Sequence, residues 1–123
     1  MAENNQKGIA RIYAAFFHSI QGFKATWLHE DAFRQEVYLL MIGGPLGLWI
    51  GTTAVEKVML SGSILLVIII ELINTGIEIV VDRIGPERHE LSGRAKDVGS
   101  AAVLTSLILA GLVWGVILYS HLA

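Results

Sequence analysis

The chain predicts an all-α membrane protein, an N-terminal amphipathic surface helix followed by three transmembrane helices. Three observations carry that expectation. Hydrophobic residues make up 54% of the 123 residues, and the mean hydropathy is +0.60, too apolar for an ordinary soluble domain. Long uncharged runs recur along the chain, broken by short charged stretches. The segment before the first run mixes aromatic, apolar and basic residues at helical spacing. The length suits one domain over residues 1–123. A net charge of −2 gives no global field favouring nucleic acid. The absence of cysteine excludes disulfides and thiolate metal sites.

The first element is expected over about residues 8–28. Ile9, Ile12, Tyr13, Phe16, Ile20, Phe23 and Trp27 recur at three- and four-residue steps, with Arg11, His18, Gln21 and Lys24 between them. That is an amphipathic helix with too many polar residues to span a bilayer, and its aromatic and basic mixture suits the membrane surface. The preceding stretch, Met1–Gly8, is polar and leads into no continuous apolar segment with a small-residue cleavage site, so no signal peptide is expected.

His29–Glu36 is dense in charge, and the uncharged run Val37–Val55 behind it is long enough to span. Gly43, Gly47 and Gly51 lie four apart and clear one face for a neighbouring helix. Pro45 removes one backbone donor and is expected to kink this helix. Glu56-Lys57 marks the far side. The second span runs over about residues 58–81 and the third over about 98–120. The polar connection Asp82–Asp97 lies between them, with Gly85-Pro86 stopping the helix. Gly111 and Gly115 form a second small-residue pair. Eight of the nine Lys and Arg residues, all but Lys57, fall on one side of these spans. That side is expected to be cytoplasmic, which puts the N-terminus inside and the C-terminus outside.

The second span carries the chemistry. Glu71 follows thirteen uncharged residues, Val58–Ile70, and Asn74, Glu78 and Asp82 come at i+3, i+7 and i+11. On a helix the four share one face. At about 1.5 Å per residue, Glu78 lies ~6 Å along the helix from Asp82 and Glu71 ~16 Å, so Glu71 is expected deeper in the membrane than Glu78. Desolvation favours the neutral carboxyl, which fits a general base or a proton carrier. It fits equally a neutral Glu hydrogen-bonded to a partner helix. Glu30 and Glu78, one on each flank of the first span, are either a hard-cation pair or two solvated charges. Arg88, His89, Arg94 and Lys96 can pair with polyphosphate oxygens or serve topology alone. Ser92-Gly93 stands where it would cap the third span and offer N–H groups to an anion. No GxxxxGK[ST] is present, and no HRD or DFG set.

Glu71-Leu-Ile-Asn-Thr-Gly-Ile-Glu78, Val81-Asp-Arg-Ile-Gly85 and His89-Glu-Leu-Ser-Gly-Arg-Ala-Lys-Asp97 closely resemble the prokaryotic diacylglycerol kinase family, and Glu30-Asp-Ala-Phe-Arg-Gln-Glu36 matches it too. The resemblance covers almost the whole chain. It implies a homotrimeric kinase of the bacterial inner membrane that moves the γ-phosphate of Mg-ATP to diacylglycerol, giving phosphatidic acid. It implies that Glu71 takes the lipid hydroxyl proton, that Glu30 and Glu78 hold Mg2+, and that Asn74, Lys96 and Asp97 complete the catalytic site. Arg11, His18, Glu30, Glu78, Glu87, Arg88, His89, Lys96 and Asp97 match nucleotide-contacting positions. Arg11, Lys24, Asp31, Arg34, Glu36, Trp49, Glu71, Ser100 and Trp114 match lipid-contacting ones. Two positions depart from the pattern: His18 stands where the best-known members have Tyr, and Pro86 replaces a small polar residue. A sister activity on the same scaffold phosphorylates undecaprenol. A small proton-coupled transporter would also use an intramembrane Glu, but it leaves the Arg88–Asp97 stretch unexplained.

Overall fold

A computed structural model describes residues 7–123; most of the polar leader lies outside the described residues. Four helices follow one another: α1 (Ile9–His29), α2 (Asp31–Ile50), α3 (Ala54–Ile84) and α4 (Glu90–Leu122). α3 is the centre, with α2 packed along one side and α4 along another. Two of the helices, α3 and α4, are long and apolar enough to cross a membrane. At ~1.5 Å per residue they reach about 46 and 50 Å, well beyond a hydrocarbon core of about 30 Å. Both therefore have length to spare outside a bilayer.

α1 begins after Gly8, whose φ of 63° belongs to the left-handed region that glycine enters without strain. Thr26 is its buried residue, and Ile9, Ile12, Tyr13 and Phe16 are exposed. The apolar stripe read from the sequence is present, and its residues are left uncovered by the rest of the chain. Arg34 ties the end of α1 to the start of α2 by donating to the Trp27 carbonyl and to Asp31.

The junction of α2 and α3 is set by glycines. A Cβ at Gly43 would meet Ile64, one at Gly47 would meet Leu60 and Ser61, and one at Gly51 would meet Lys57. The Ser61 hydroxyl then donates to the Gly44 carbonyl at 2.7 Å. The close approach that the Gly43, Gly47 and Gly51 spacing predicts is therefore made, and the helix that makes it is α3 of the same chain. On the other side Trp114 of α4 donates its indole N–H to the Leu60 carbonyl at 2.9 Å. Gly111 and Gly115 face open space, so that pair serves no contact within the chain.

Three boundaries differ from the sequence reading. α2 ends at Ile50, and Gly51–Thr53 make a turn in which the Thr53 hydroxyl caps α3 by accepting from Glu56 N–H. The uncharged part of α2, Val37–Ile50, is about 21 Å long, shorter than the run to Val55 implied. Pro45 sits inside α2 without ending it. α4 begins at Glu90, so Arg94, Lys96 and Asp97 are helical and the connection shrinks to Gly85–His89. The cap of α4 is His89, whose Nδ1 accepts from Leu91 N–H at 3.0 Å; Ser92-Gly93 lies within the helix and does not cap it.

Candidate active site

Burial along α3 falls in one direction. Glu71 is 3% exposed and Asn74 9%, Glu78 is half-buried and Asp82 is exposed. The shared face predicted from the i, i+3, i+7, i+11 spacing is present, and it leads from the packed interior to the polar end of α3.

Glu71 is held by two groups that the spacing did not reveal. Thr75, one turn on and itself buried, donates its hydroxyl to Glu71 Oε2 at 3.4 Å. Glu36 of α2, also buried, turns its carboxyl toward that of Glu71. The two carboxyls share one buried setting and lie close enough to act on each other directly. Glu36 Oε2 has no hydrogen-bond partner. This contact also sets the level of Glu71 along α2. Glu36 is the last charged residue before the uncharged run of α2, so Glu71 is level with the start of that run. Leu72–Ile84 extends beyond it.

The next turns form a relay of polar contacts. Asn74 Nδ2 donates to Glu78 Oε1 at 3.2 Å. The Glu78 carboxylate lies within electrostatic range of Glu30, Glu71, Asp82 and the Lys96 ammonium. Lys96 pairs with Asp82 at 2.7 Å, joining α4 to α3 at their polar ends. Beyond this pair opens a cavity of about 700 Å3, lined by Asp82, Glu87, Arg88, His89, Ser92 and Lys96 among others. Its size is that of a small-molecule site, and its rim carries the cations expected to meet polyphosphate.

Glu71, Asn74, Glu78 and Lys96 are thus brought into one line, with Glu30 beside Glu78 and with Glu87, Arg88 and His89 around the cavity. Asp97 is exposed on α4. No group of three or more His, Cys, Asp or Glu side chains able to hold a metal occurs among the described residues. A Glu30–Glu78 pair offers two hard oxygen donors, which suits Mg2+ carried in with phosphates and does not suit a protein-only cage.

The lipid-side candidates are spread out. Trp49 is 81% exposed near the far end of α2, and Trp114 packs against Leu60. Ser100 is exposed on α4. Lys24 borders an apolar cavity of about 590 Å3 with Phe23, Trp27, Leu28, Phe33 and Val37, next to the paired Asp31 and Arg34. Arg11 and His18 are exposed on α1. A third cavity, about 370 Å3, lies between α1 and α3, and its lining on α1 comes from Ser19, Gly22, Phe23, Ala25 and Thr26. Neither Arg11 nor His18 lines the cavity at Arg88 or the one between α1 and α3.

Apolar helices around a buried carboxyl, with a polar line leading to a cation-rimmed cavity at one end, define an all-helical protein of the membrane class. More particularly, the chain belongs to the prokaryotic diacylglycerol kinase family. The family model described as prokaryotic diacylglycerol kinase matches residues 17–118. A diacylglycerol kinase of Escherichia coli K12 is 48% identical over 118 residues, covering 96% of this chain and 97% of its own. That of Haemophilus influenzae is 47% identical over 91% and 95% of the two chains, and that of Pseudomonas aeruginosa 40% over 92% of each.

Proposed function

We propose that this protein is an ATP-dependent lipid kinase that phosphorylates diacylglycerol to phosphatidic acid at the cytoplasmic face of the bacterial inner membrane. The observation that carries the chemistry is the buried Glu71 carboxyl, held by Thr75 and faced by Glu36, at the head of a polar line ending in the Arg88 cavity.

The lipid hydroxyl oxygen attacks the γ-phosphorus, the bond to the ADP oxygen breaks, and the hydroxyl proton passes to Glu71. Thr75 and the facing Glu36 fix the Glu71 carboxyl in position to receive that proton. Arg88, His89 and Lys96 hold the phosphates, with Glu87 and Asp97 at the margin of the nucleotide. Asn74 holds Glu78, and Glu78 with Glu30 is the candidate holder of Mg2+. When bound with ATP, Mg2+ supplies neutralisation of the phosphate charge.

The lipid runs along α2. Glu36 and Trp49 are thirteen residues apart, about 20 Å along the axis, a span that suits an extended acyl chain better than a compact pocket. α2 is read as the first and shortest span, with Lys57 and the C-terminus on the periplasmic side. The eight-to-one distribution of basic residues supports that orientation.

The test pairs a lipid panel with two variants. Radiolabelled ATP in mixed micelles should label diacylglycerol in preference to undecaprenol. Labelling of undecaprenol alone would assign the sister activity, and no labelling would refute a kinase. Glu71→Gln should lose about 100-fold or more in turnover yet keep Mg-ATP binding, whereas Glu78→Gln should lose metal-dependent binding too. Equal loss of nucleotide affinity in both would overturn this division of roles.

A further inference from the structure

Gly99 of α4 is buried against Asn74 of α3. A Cβ built at Gly99 would fall on Asn74 Oδ1 and lie 3.1 Å from its Cγ. The Asn74 amide therefore occupies the space that any side chain at position 99 would need. Its Oδ1 is buried with no hydrogen-bond donor, while its Nδ2 donates to Glu78 Oε1. The opposite orientation of the amide would set Oδ1 against a carboxylate oxygen, lone pair against lone pair. It would also turn the NH2 group toward Gly99 and away from the Glu78 carboxylate. The slot at Gly99 and the Glu78 carboxylate together select one orientation.

We infer that Gly99 is a positioning residue for Glu78: the missing side chain at 99 lets the Asn74 amide hold one Glu78 oxygen and leaves the other oxygen free for a cation. This rests on the reading of Glu78 as a metal-holding group. A methyl group at Gly99 cannot be met by a small shift, because Oδ1 and the Cγ that carries it, one bond from Cβ, both crowd the new atom. Asn74 must leave the slot, and Glu78 then loses its donor. A hydrogen bond to a charged group is worth enough that its loss should weaken metal-dependent binding about tenfold.

The test measures binding, not turnover. The full chain in detergent micelles is titrated with the β,γ-imido analogue of ATP, with Mg2+ and with a chelator, and thermal unfolding is followed alongside. Gly99→Ala should lower affinity about tenfold with Mg2+ and leave the chelator arm unchanged. Asn74→Ala should do the same. The double variant should bind like Asn74→Ala alone, because the added methyl then meets nothing. Parent-like binding by Gly99→Ala, or additive losses in the double variant, would overturn the inference. Should Gly99→Ala not fold, Asn74→Ala alone decides: unchanged Mg2+-dependent binding refutes the role of the amide. Glu78→Gln separates the two levels. If it keeps the Mg2+ increment, the metal reading fails; if it loses the increment while Gly99→Ala does not, only the positioning role fails.

Discussion

Gly43→Ala and Gly47→Ala place the same methyl group one helical turn apart on the same face of α2, and their expected outcomes differ. At Gly47 the new Cβ would lie 2.8 Å from Ser61 Oγ, 2.9 Å from Leu60 Cβ and 3.1 Å from the Ser61 backbone nitrogen. Two of those atoms are fixed to the α3 backbone, so the helices must separate. Overpacking of this kind costs about 1–3 kcal/mol. Separation also breaks the Ser61 to Gly44 hydrogen bond, worth about 0.6 kcal/mol in a membrane. Against these stands a gain of about 1 kcal/mol from replacing glycine within a helix. The net loss is about 0.6–2.6 kcal/mol, roughly a three- to eightyfold fall in the folded population. At Gly43 the close atom is Ile64 Cδ1 at 2.5 Å, the free end of a side chain. An off-rotamer Ile costs about 0.5–1.5 kcal/mol, which the helix gain offsets. Denaturation by sodium dodecyl sulfate in mixed micelles, followed by circular dichroism, should show Gly47→Ala destabilised and Gly43→Ala near the parent. Equal behaviour of the two, in either direction, would refute the argument that backbone atoms set the α2–α3 distance.

Two further outcomes concern the helix ends. Glu56 accepts from the Thr52 backbone N–H, and His121 sits 2.8 Å away; the Thr52 bond first, then His121, holds the Glu56 carboxyl below its ordinary value of 4.5. A lowered folded value means that stability is present above pH ~4.5 and is lost as pH falls through the folded value. The melting temperature of the parent should therefore drop more steeply below that pH than that of Glu56→Gln, and parallel curves would contradict the pairing. His89→Ala removes the cap of α4, which should cost about 1 kcal/mol and speed amide exchange at Leu91, with recovery in His89→Asp; unchanged exchange at Leu91 would show that the cap is idle.

What the sequence made legible, and what it hid, follows from the range of each signal. The α3 stripe was legible because periodicity is local: Glu71, Asn74 and Glu78 announce their common face by spacing alone. The start of α4 was hidden because Arg94, Lys96 and Asp97 read as a charged loop, although Glu, Leu, Arg, Ala and Lys are good helix formers. The end of α2 was hidden because Gly51-Thr52-Thr53 makes its turn without any charge. The glycines of α2 announced a close approach but not which helix would make it. Glu36 facing Glu71 is a matter of tertiary register between residues thirty-five apart, and no pattern within either helix encodes it.

That register bears on how many chains build one site. The Gly43, Gly47 and Gly51 face is filled by α3 of the same chain, so it cannot be the surface on which copies meet. Gly111 and Gly115 remain open on α4, and Leu65, Ile69 and Ile73 remain exposed on α3. In a membrane such faces can pack against identical copies, and small residues favour the close approach. α1 adds a second reason. Its buried residue, Thr26, lies near its C-terminal end, and the turn that carries Arg11 is exposed on its own chain. A symmetric trimer would let the Arg11 turn of one subunit close over the Glu71–Lys96 line of the next. Arg11→Ala and Glu71→Gln should each be inactive, and mixed trimers reassembled from the two should regain activity. With random mixing of equal amounts, three trimers in four contain both parents, and each of these has one interface where an intact Arg11 turn meets an intact Glu71 line. Each such trimer then holds one working site of three, so about a quarter of the parental activity should return. Mixtures that stay as inactive as either parent, with subunit exchange verified by two affinity tags, would place the whole site within one chain.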